Sequence, residues 1–111
     1  MIISKEGIVI LSEEITLRGK QKRFLRAMAT GLDPLFQIGK AGITENVMAE
    51  VDSALEAREL IKLRVLPTAG ESVEEVAKEI ALGAGAELIQ VVGHNFVLYR
   101  RSKKKPKIEL P

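Results

Sequence analysis

Two glycines that flank a lysine and an alanine form the segment of this chain best suited to bind a ligand. The segment is Gly39-Lys40-Ala41-Gly42; it follows a short apolar run and precedes Thr44, a residue type favoured at the N-cap of a helix. Glycines allow a backbone to approach a ligand closely, and the start of a helix offers free N–H groups with partial positive charge. Because Lys40 adds a full positive charge, the turn is predicted to bind a phosphate group.

The charges of the chain are segregated along the sequence, although its formal net charge is only +2. Residues 16–40 carry six basic side chains against one acidic side chain, and residues 100–111 repeat that ratio. Residues 41–99 carry ten acidic side chains and four basic ones. This segregation predicts one basic face and one acidic face, and a nucleic acid is the phosphate-bearing partner that fits the basic face. A lysine-rich C-terminus could instead serve solubility alone.

The composition argues against most catalytic and metal-binding sites. The 111 residues include no cysteine and one histidine, which excludes disulfides and thiolate metal sites and leaves few groups for acid–base chemistry. We therefore expect no enzyme activity, no cofactor and no metal. The glycine spacing matches neither a P-loop nor a dinucleotide-binding fingerprint. No run of about 18 apolar residues occurs and the N-terminus does not resemble a signal peptide, so we expect a cytoplasmic protein without a membrane partner.

The periodicity of the apolar residues predicts seven elements of secondary structure. Helices are predicted at 16–29, at 44–58 and from the capping residue Ser72 to the glycines at 83 and 85, and strands at 34–38, 60–66, 87–92 and 96–100. Helices that alternate with strands and end in a hairpin indicate an α/β sandwich with a mixed sheet of about four strands. Residues 102–111 are predicted to be a mobile, lysine-rich tail.

Several side chains have predicted positions within these elements. The first helix is expected to bury one side, formed by Leu17, Phe24, Leu25 and Met28, and to expose its basic residues. Alternating residues in the second strand predict that one of its sides faces solvent. Phe96 and Tyr99 are three residues apart in the last strand, so they are expected on opposite faces of the sheet, one buried and the other exposed.

Four segments together resemble the CRM domain in its single-domain, bacterial YhbY-like form. They are LRGKQKRFLR at 17–26, FQIGKAGIT at 36–44, ALEARELIK at 54–62, and QVVG through VLYR at 90–100. The resemblance covers residues 16–101 and leaves 1–15 as an N-terminal extension of unknown role and 102–111 as a basic C-terminal tail. It implies an RNA-binding domain similar in fold to the C-terminal domain of translation initiation factor three. It also implies a role with precursor large ribosomal subunits in ribosome assembly.

The resemblance and the charge pattern together give a hypothesis for the binding site. The turn and the first helix would hold the RNA backbone through Gly39, Lys40, Ala41, Gly42, Lys20, Lys22, Arg23 and Arg26. Arg58, Arg100 and the tail lysines at 103–105 are further candidates. The partner would be rRNA of the large-subunit precursor, within a pre-ribosomal particle, and the protein would act as a monomer.

Two alternatives are compatible with the same sequence. One is a protein-interaction module in which an acidic helix face, formed by Glu45, Asp52 and Glu56, docks a basic partner. The other is an RNA-modifying enzyme that uses Glu59 or His94. Binding to deproteinised rRNA would separate direct RNA binding from the first alternative, and a loss of RNA turnover on mutation of Glu59 or His94 would support the second.

Overall fold

The computed structural model describes residues 17–111, so the predicted N-terminal extension at 1–15 lies outside the described residues. The elements are α1 (Gly19–Ala29), β1 (Phe36–Ile38), α2 (Glu45–Arg58), β2 (Leu60–Val65), a 3₁₀ turn (Pro67–Ala69), α3 (Val73–Ala84), β3 (Glu87–Val92) and β4 (Asn95–Tyr99). The strands form one sheet in the order β1-β2-β4-β3, in which β1 and β2 are parallel and the other pairs are antiparallel. The predicted α/β fold, with its element order and mixed four-stranded sheet, is confirmed.

The sheet is covered by helices on both faces. Because successive side chains of a strand point to opposite faces, the central strands contribute to two cores. Ile61, Leu63, Phe96 and Leu98 pack with α2 and α3, whereas Leu60, Val97 and Tyr99 pack with α1. Phe96 and Tyr99 therefore point to opposite faces, as predicted. The expectation that one of them is exposed was wrong, because each face carries its own helical layer and both rings are buried.

The helix α1 docks on the sheet through a narrower stripe than the sequence predicted. Leu25 and Ala29, four residues apart, are fully buried against the sheet. Phe24 and Met28 keep 38% and 41% of their surface exposed, so their predicted burial was wrong. At about 100° of rotation per residue, the stripe from Leu25 to Ala29 turns Phe24 and Met28 towards the edge of the contact. The helix thus presents two apolar side chains beside its basic ones.

Local sequence signals fix the starts of α2 and α3. The Thr44 hydroxyl accepts a hydrogen bond from the Val47 amide at 3.1 Å, and the Ser72 hydroxyl accepts one from the Glu75 amide at the same distance. Both predicted caps are confirmed. Gly83 was expected to end α3 but lies inside it, where an added Cβ atom would stand 2.9 Å from the Met48 Cε atom and require that side chain to shift. No helix among residues 17–111 is long and apolar enough to cross a membrane.

Residues 102–111 pack on the domain and are not the mobile tail that their composition predicted. Two glutamates at the end of α2, Glu56 and Glu59, accept hydrogen bonds from backbone amides of this segment. Its last apolar residues, Ile108 and Leu110, join the core beneath α1. We call residues 102–111 the C-terminal strap.

The carboxylates that hold the strap predict how stability depends on pH. Burial raises the pKa of Glu59, but hydrogen bonds from three amides outweigh it, so its pKa lies below the ordinary value of 4.5. The amide of Lys103 and the hydroxyl of Ser102 lower the pKa of Glu56 in the same way. A carboxylate with a lowered native pKa stabilises the fold above its unfolded pKa, and this stabilisation is lost as the pH falls through the native value.

We therefore expect the melting temperature to fall as the pH drops below about 4.5, the unfolded pKa of a glutamate. The Glu56→Gln variant removes one of these carboxylates and should show a shallower fall over the same range. Calorimetry of both proteins between pH 3 and 7 measures the difference. Identical pH profiles would show that the Glu56 contacts with the strap do not stabilise the fold.

Candidate nucleic-acid interface

The Gly39–Gly42 turn is a tight reverse turn between the end of β1 and the start of α2. The amide of Gly42 donates to the carbonyl of Gly39 at 2.9 Å, and Gly42 has φ +70°, a conformation that residues with a Cβ atom rarely adopt. No acceptor within residues 17–111 receives the amides of Lys40 and Ala41, and both residues are exposed. Because the Gly42 amide is used inside the turn, the amides of Lys40 and Ala41 are the turn's exposed donors for a phosphate, next to the amides at the start of α2.

A cavity of about 580 Å³ opens beside the turn on the side of α2 and α3. The turn forms one wall of this cavity, and Glu71 and Glu79 lie in its lining. Repulsion from the Glu79 carboxylate, together with a hydrogen bond between the two side chains, raises the pKa of Glu71. Since a pair of carboxylates repels phosphate, the part of the cavity that Glu71 and Glu79 line does not suit a nucleic acid.

The α1 side of the sheet is open near the turn. Leu60, Lys62 and Arg64 point to this side, because they alternate along β2. The helix covers Leu60, whereas Lys62 is half-buried and Arg64 is exposed. Arg64 is paired with Gln37 of β1, just before the turn. The predicted solvent-facing side of β2 is thus confirmed at its Arg64 end and wrong at its Leu60 end.

The basic side chains of α1 lie mainly on one flank of the helix. At 3.6 residues per turn, rotation about the helix axis away from Leu25 reaches Lys22 at about 60°, Arg26 at about 100° and Arg23 at about 160°. Gln21 lies on the other flank, where its side-chain amide donates to the carbonyl of Pro111 at 3.3 Å. The strap reaches α1 from the covered end of the sheet, next to Glu59. The basic flank is thus the side of α1 away from the strap, and Lys20 is exposed on the outer side.

We call the combined set the basic surface. It consists of the turn with Lys40, the β2 side chains Lys62 and Arg64, and the α1 side chains Lys20, Lys22, Arg23 and Arg26. Lys62 and Arg64 are two residues apart in β2, so their Cα atoms are about 7 Å apart, at about 3.3 Å per residue. Lys62 and Arg64 were missed as site residues from the sequence, although the alternation in β2 was the signal that could have found them.

Two further predicted site residues lie apart from the basic surface. Arg58 is exposed at the far end of α2, beside a groove of about 450 Å³ that Leu35 and Phe36 also line. The 14 residues of α2 separate it from the turn by about 20 Å. The guanidinium of Arg100 donates to the Asp52 carboxylate at 2.7 Å and to the Ala84 carbonyl at 2.8 Å. Arg100 thus ties β4 to α2 and α3, and we leave both arginines outside the interface.

The acidic helix face is partly occupied by the chain itself. The Glu56 carboxylate accepts from the Ser102 hydroxyl at 2.8 Å and from two amides of the strap. Asp52 pairs with Arg100 but keeps 65% of its side chain exposed, and Glu45 is exposed. Of the three residues assigned to docking a basic partner, the protein-interaction alternative therefore loses Glu56.

Comparisons with known proteins agree with the resemblance noted in the sequence. The CRS1 / YhbY (CRM) domain profile matches residues 17–100. A Bacillus subtilis protein named probable RNA-binding protein YqeI is 47% identical over 95 residues, which cover 86% of this chain and 99% of that relative. A Haemophilus influenzae protein named RNA-binding protein is 41% identical over 96 residues, covering 86% of this chain and 96% of the relative. The solution structure of SAV1595 from Staphylococcus aureus matches with a TM-score of 0.71 and 46% identity, covering 86% of this chain and 100% of that one.

Proposed function

Because the chain belongs to the CRS1 / YhbY (CRM) domain family, we propose that it binds the backbone of RNA through the basic surface and assists assembly of the large ribosomal subunit. Three features support the proposal: the turn carries the exposed Lys40, Gln37 just before it pairs with the exposed Arg64 of β2, and the basic helix α1 packs on the face of the sheet to which Arg64 points. Phosphate contacts of this kind position an RNA without reading its sequence.

The preferred ligand is structured or double-stranded RNA. Proteins that bind single strands stack bases on exposed aromatic rings. Among the described residues, Phe96 and Tyr99 are buried. Phe24, on α1, is 38% exposed. A basic surface with few exposed rings suits the phosphate backbone of a duplex, which proteins recognise mostly by shape and backbone contacts.

In this proposal the protein acts by binding RNA and not as an enzyme. Glu59, one of the two residues considered for catalysis, is fully buried and its carboxylate oxygens accept amide hydrogen bonds. His94 lies in the turn between β3 and β4, where its carbonyl accepts from the amide of Val65. Among residues 17–111 no group of three histidines, aspartates or glutamates is placed to hold a metal ion. Glu59 thus serves the fold and His94 is an exposed turn residue, which is compatible with a binding role.

The partner we propose is rRNA of the large-subunit precursor, bound in the cytoplasm by a monomer. Crosslinking the protein to RNA in cell extract, followed by sequencing of the bound fragments, tests this assignment. We expect fragments from large-subunit rRNA that include unprocessed ends. Fragments drawn mainly from other RNAs would contradict the ribosomal role and leave RNA binding in place, whereas a failure of the pure protein to bind deproteinised rRNA would contradict RNA binding itself.

The open end of β2 supplies a first mutational test. Arg64→Gln removes one exposed charge from the basic surface, and we expect it to weaken RNA binding and to reduce the slope of log affinity against log salt by about 1. Lys78→Gln removes one exposed charge from α3 and should leave that slope unchanged. Fluorescence anisotropy of a labelled rRNA hairpin at several salt concentrations measures both. Equal slopes for Arg64→Gln and the unmodified protein would remove β2 from the interface.

A further inference from the structure

Glu59 is a buried acid in an unusual backbone conformation. It follows the last residue of α2, is 0% exposed, and has φ +69°. Among residues 17–111 it is the one non-glycine residue with a positive φ. Helices usually place glycine or asparagine at this position. A strained backbone persists only where the surrounding structure holds it. The hydrogen bonds of the Glu59 carboxylate indicate which contacts keep the backbone in this conformation.

The Glu59 carboxylate latches the strap from both of its oxygens. Oε1 accepts the amides of Lys107 and Ile108, each at 2.7 Å, and Oε2 accepts the amide of Ser102 at 2.7 Å. The side-chain ammonium of Lys107 also donates to the carbonyl of Ala57 at 2.7 Å, at the end of α2. One buried side chain therefore fixes two points of the strap that are several residues apart.

Beyond this latch, the strap ends against α1. Ile108 and Leu110 pack with the core that contains Leu25, the side chain that docks α1 on the sheet. The carbonyl of Pro111 accepts the hydrogen bond from Gln21 of α1. The strap thus ties the end of α2, on one face of the sheet, to α1 on the other face.

We propose that the C-terminal strap, latched by Glu59, holds α1 in the orientation in which its basic flank meets RNA. The inference rests on the proposed function. Glu59 is then a positioning residue, which acts through α1 without touching RNA. The exposed lysines at 103–105 follow Ser102 beside Glu56 of α2, and in this proposal they are not the source of the strap's effect.

The sign of the response to Glu59→Gln separates positioning from simple electrostatics. The glutamine amide places a donor where an acceptor oxygen now receives the strap, so the latch opens on one side. Loss of a negative charge by itself should raise the affinity for RNA. The positioning role of the strap predicts instead that the affinity for RNA falls by about three- to tenfold. The salt dependence should also become shallower, because phosphate contacts of α1 are lost. The control, Glu74→Gln on α3, removes an exposed carboxylate and should not lower the affinity.

A double-mutant cycle tests whether Glu59 acts through α1. In a chain that already carries Lys22→Gln and Arg26→Gln, the effect of Glu59→Gln on RNA affinity should largely disappear, because both changes remove the same contacts. Full additivity would overturn the proposal. Amide hydrogen exchange at Ser102 and Ile108 shows whether the latch has opened in the variant.

Two further variants cover other outcomes. If Glu59→Gln does not fold, Ile108→Ala with Leu110→Ala detaches the half-buried end of the strap and should give the same fall in affinity and in salt slope. Replacing the lysines at 103–105 by glutamine leaves the latch in place and should change affinity little, since these side chains lie outside the basic surface. A loss from this triple variant as large as that from Glu59→Gln would overturn the proposal in favour of direct contact by the strap.

The results distinguish this proposal from the proposed function. If the unmodified protein does not bind RNA, both fail. If it binds, and Lys22→Gln with Arg26→Gln weakens binding while an opened latch does not, the strap proposal alone is wrong.

Discussion

Replacement of Lys40 by glutamate is expected to weaken the binding of a structured RNA by about tenfold or more at low salt. The change removes a charge beside the free amides of the turn and places a carboxylate there, so that attraction for a phosphate becomes repulsion. Lys40 is exposed, and a surface substitution usually changes stability by less than about 0.5 kcal/mol. Fluorescence anisotropy gives the affinity, and thermal unfolding checks that the fold is intact.

Lys78→Glu is the matched control for Lys40→Glu. It makes the same change in net charge at an exposed position of α3, on the acidic side of the molecule. We expect a clearly smaller loss of affinity than for Lys40→Glu, because Lys78 lies among the acidic side chains Glu71, Glu75 and Glu79 and outside the basic surface. Equal losses from the two variants would mean that affinity follows net charge alone. An unchanged affinity and salt slope for Lys40→Glu would exclude the turn from the interface.

Leu25→Ala should have the largest effect on stability among the changes considered for α1. The side chain is fully buried between α1 and the sheet, and truncation of a buried leucine costs about 2–5 kcal/mol. Domains of this kind are stable by only about 5–15 kcal/mol, so a large part of the folding free energy is at risk. Since Leu25 docks the helix that carries the basic flank, RNA affinity should fall as well. Urea unfolding measures the first effect and anisotropy the second.

Phe24→Ala provides the comparison on the same helix. Phe24 is the neighbour of Leu25 but keeps 38% of its surface exposed, so its truncation should destabilise the fold clearly less than that of Leu25. A cost as large as that of Leu25→Ala would mean that Phe24 contributes to docking α1 on the sheet and that the buried stripe is wider than Leu25 and Ala29.

Features that depend on neighbouring residues could be predicted from the sequence. Thr44 and Ser72 cap helices through bonds to residues three positions ahead, so the pattern that predicts the cap also contains its partner. The apolar periodicity of α2 and α3 and the hairpin of β3 and β4 are local in the same sense. These signals were enough for the element order and the mixed sheet.

Features that depend on distant contacts could not be predicted. The strap was predicted to be mobile because its composition is polar, yet Glu59 accepts amides that lie 43 to 49 residues further along the chain. Arg100 was assigned to RNA because its segment is basic, yet its partner Asp52 is 48 residues away. The rotation of α1 was misjudged because Ala29, a small residue, shares the buried stripe with Leu25.

The candidate site shows the same division. The turn at 39–42 could be proposed from the sequence because glycine, lysine and a helix cap stand together there. Lys62 and Arg64 join the proposed site only once the structure is known, because which end of β2 α1 leaves open is a property of the packed domain. A strand whose alternate residues are basic is therefore worth including in a site prediction whenever a neighbouring helix covers only part of it.

The most direct test is a chemical-shift titration of the nitrogen-15-labelled protein with a hairpin taken from large-subunit rRNA. We predict the largest changes at the amides of Lys40 and Ala41, at Lys62 and Arg64 of β2, and along the basic flank of α1. Changes concentrated on α3 around Lys78, or no changes at RNA concentrations that saturate the anisotropy signal, would contradict binding through the basic surface.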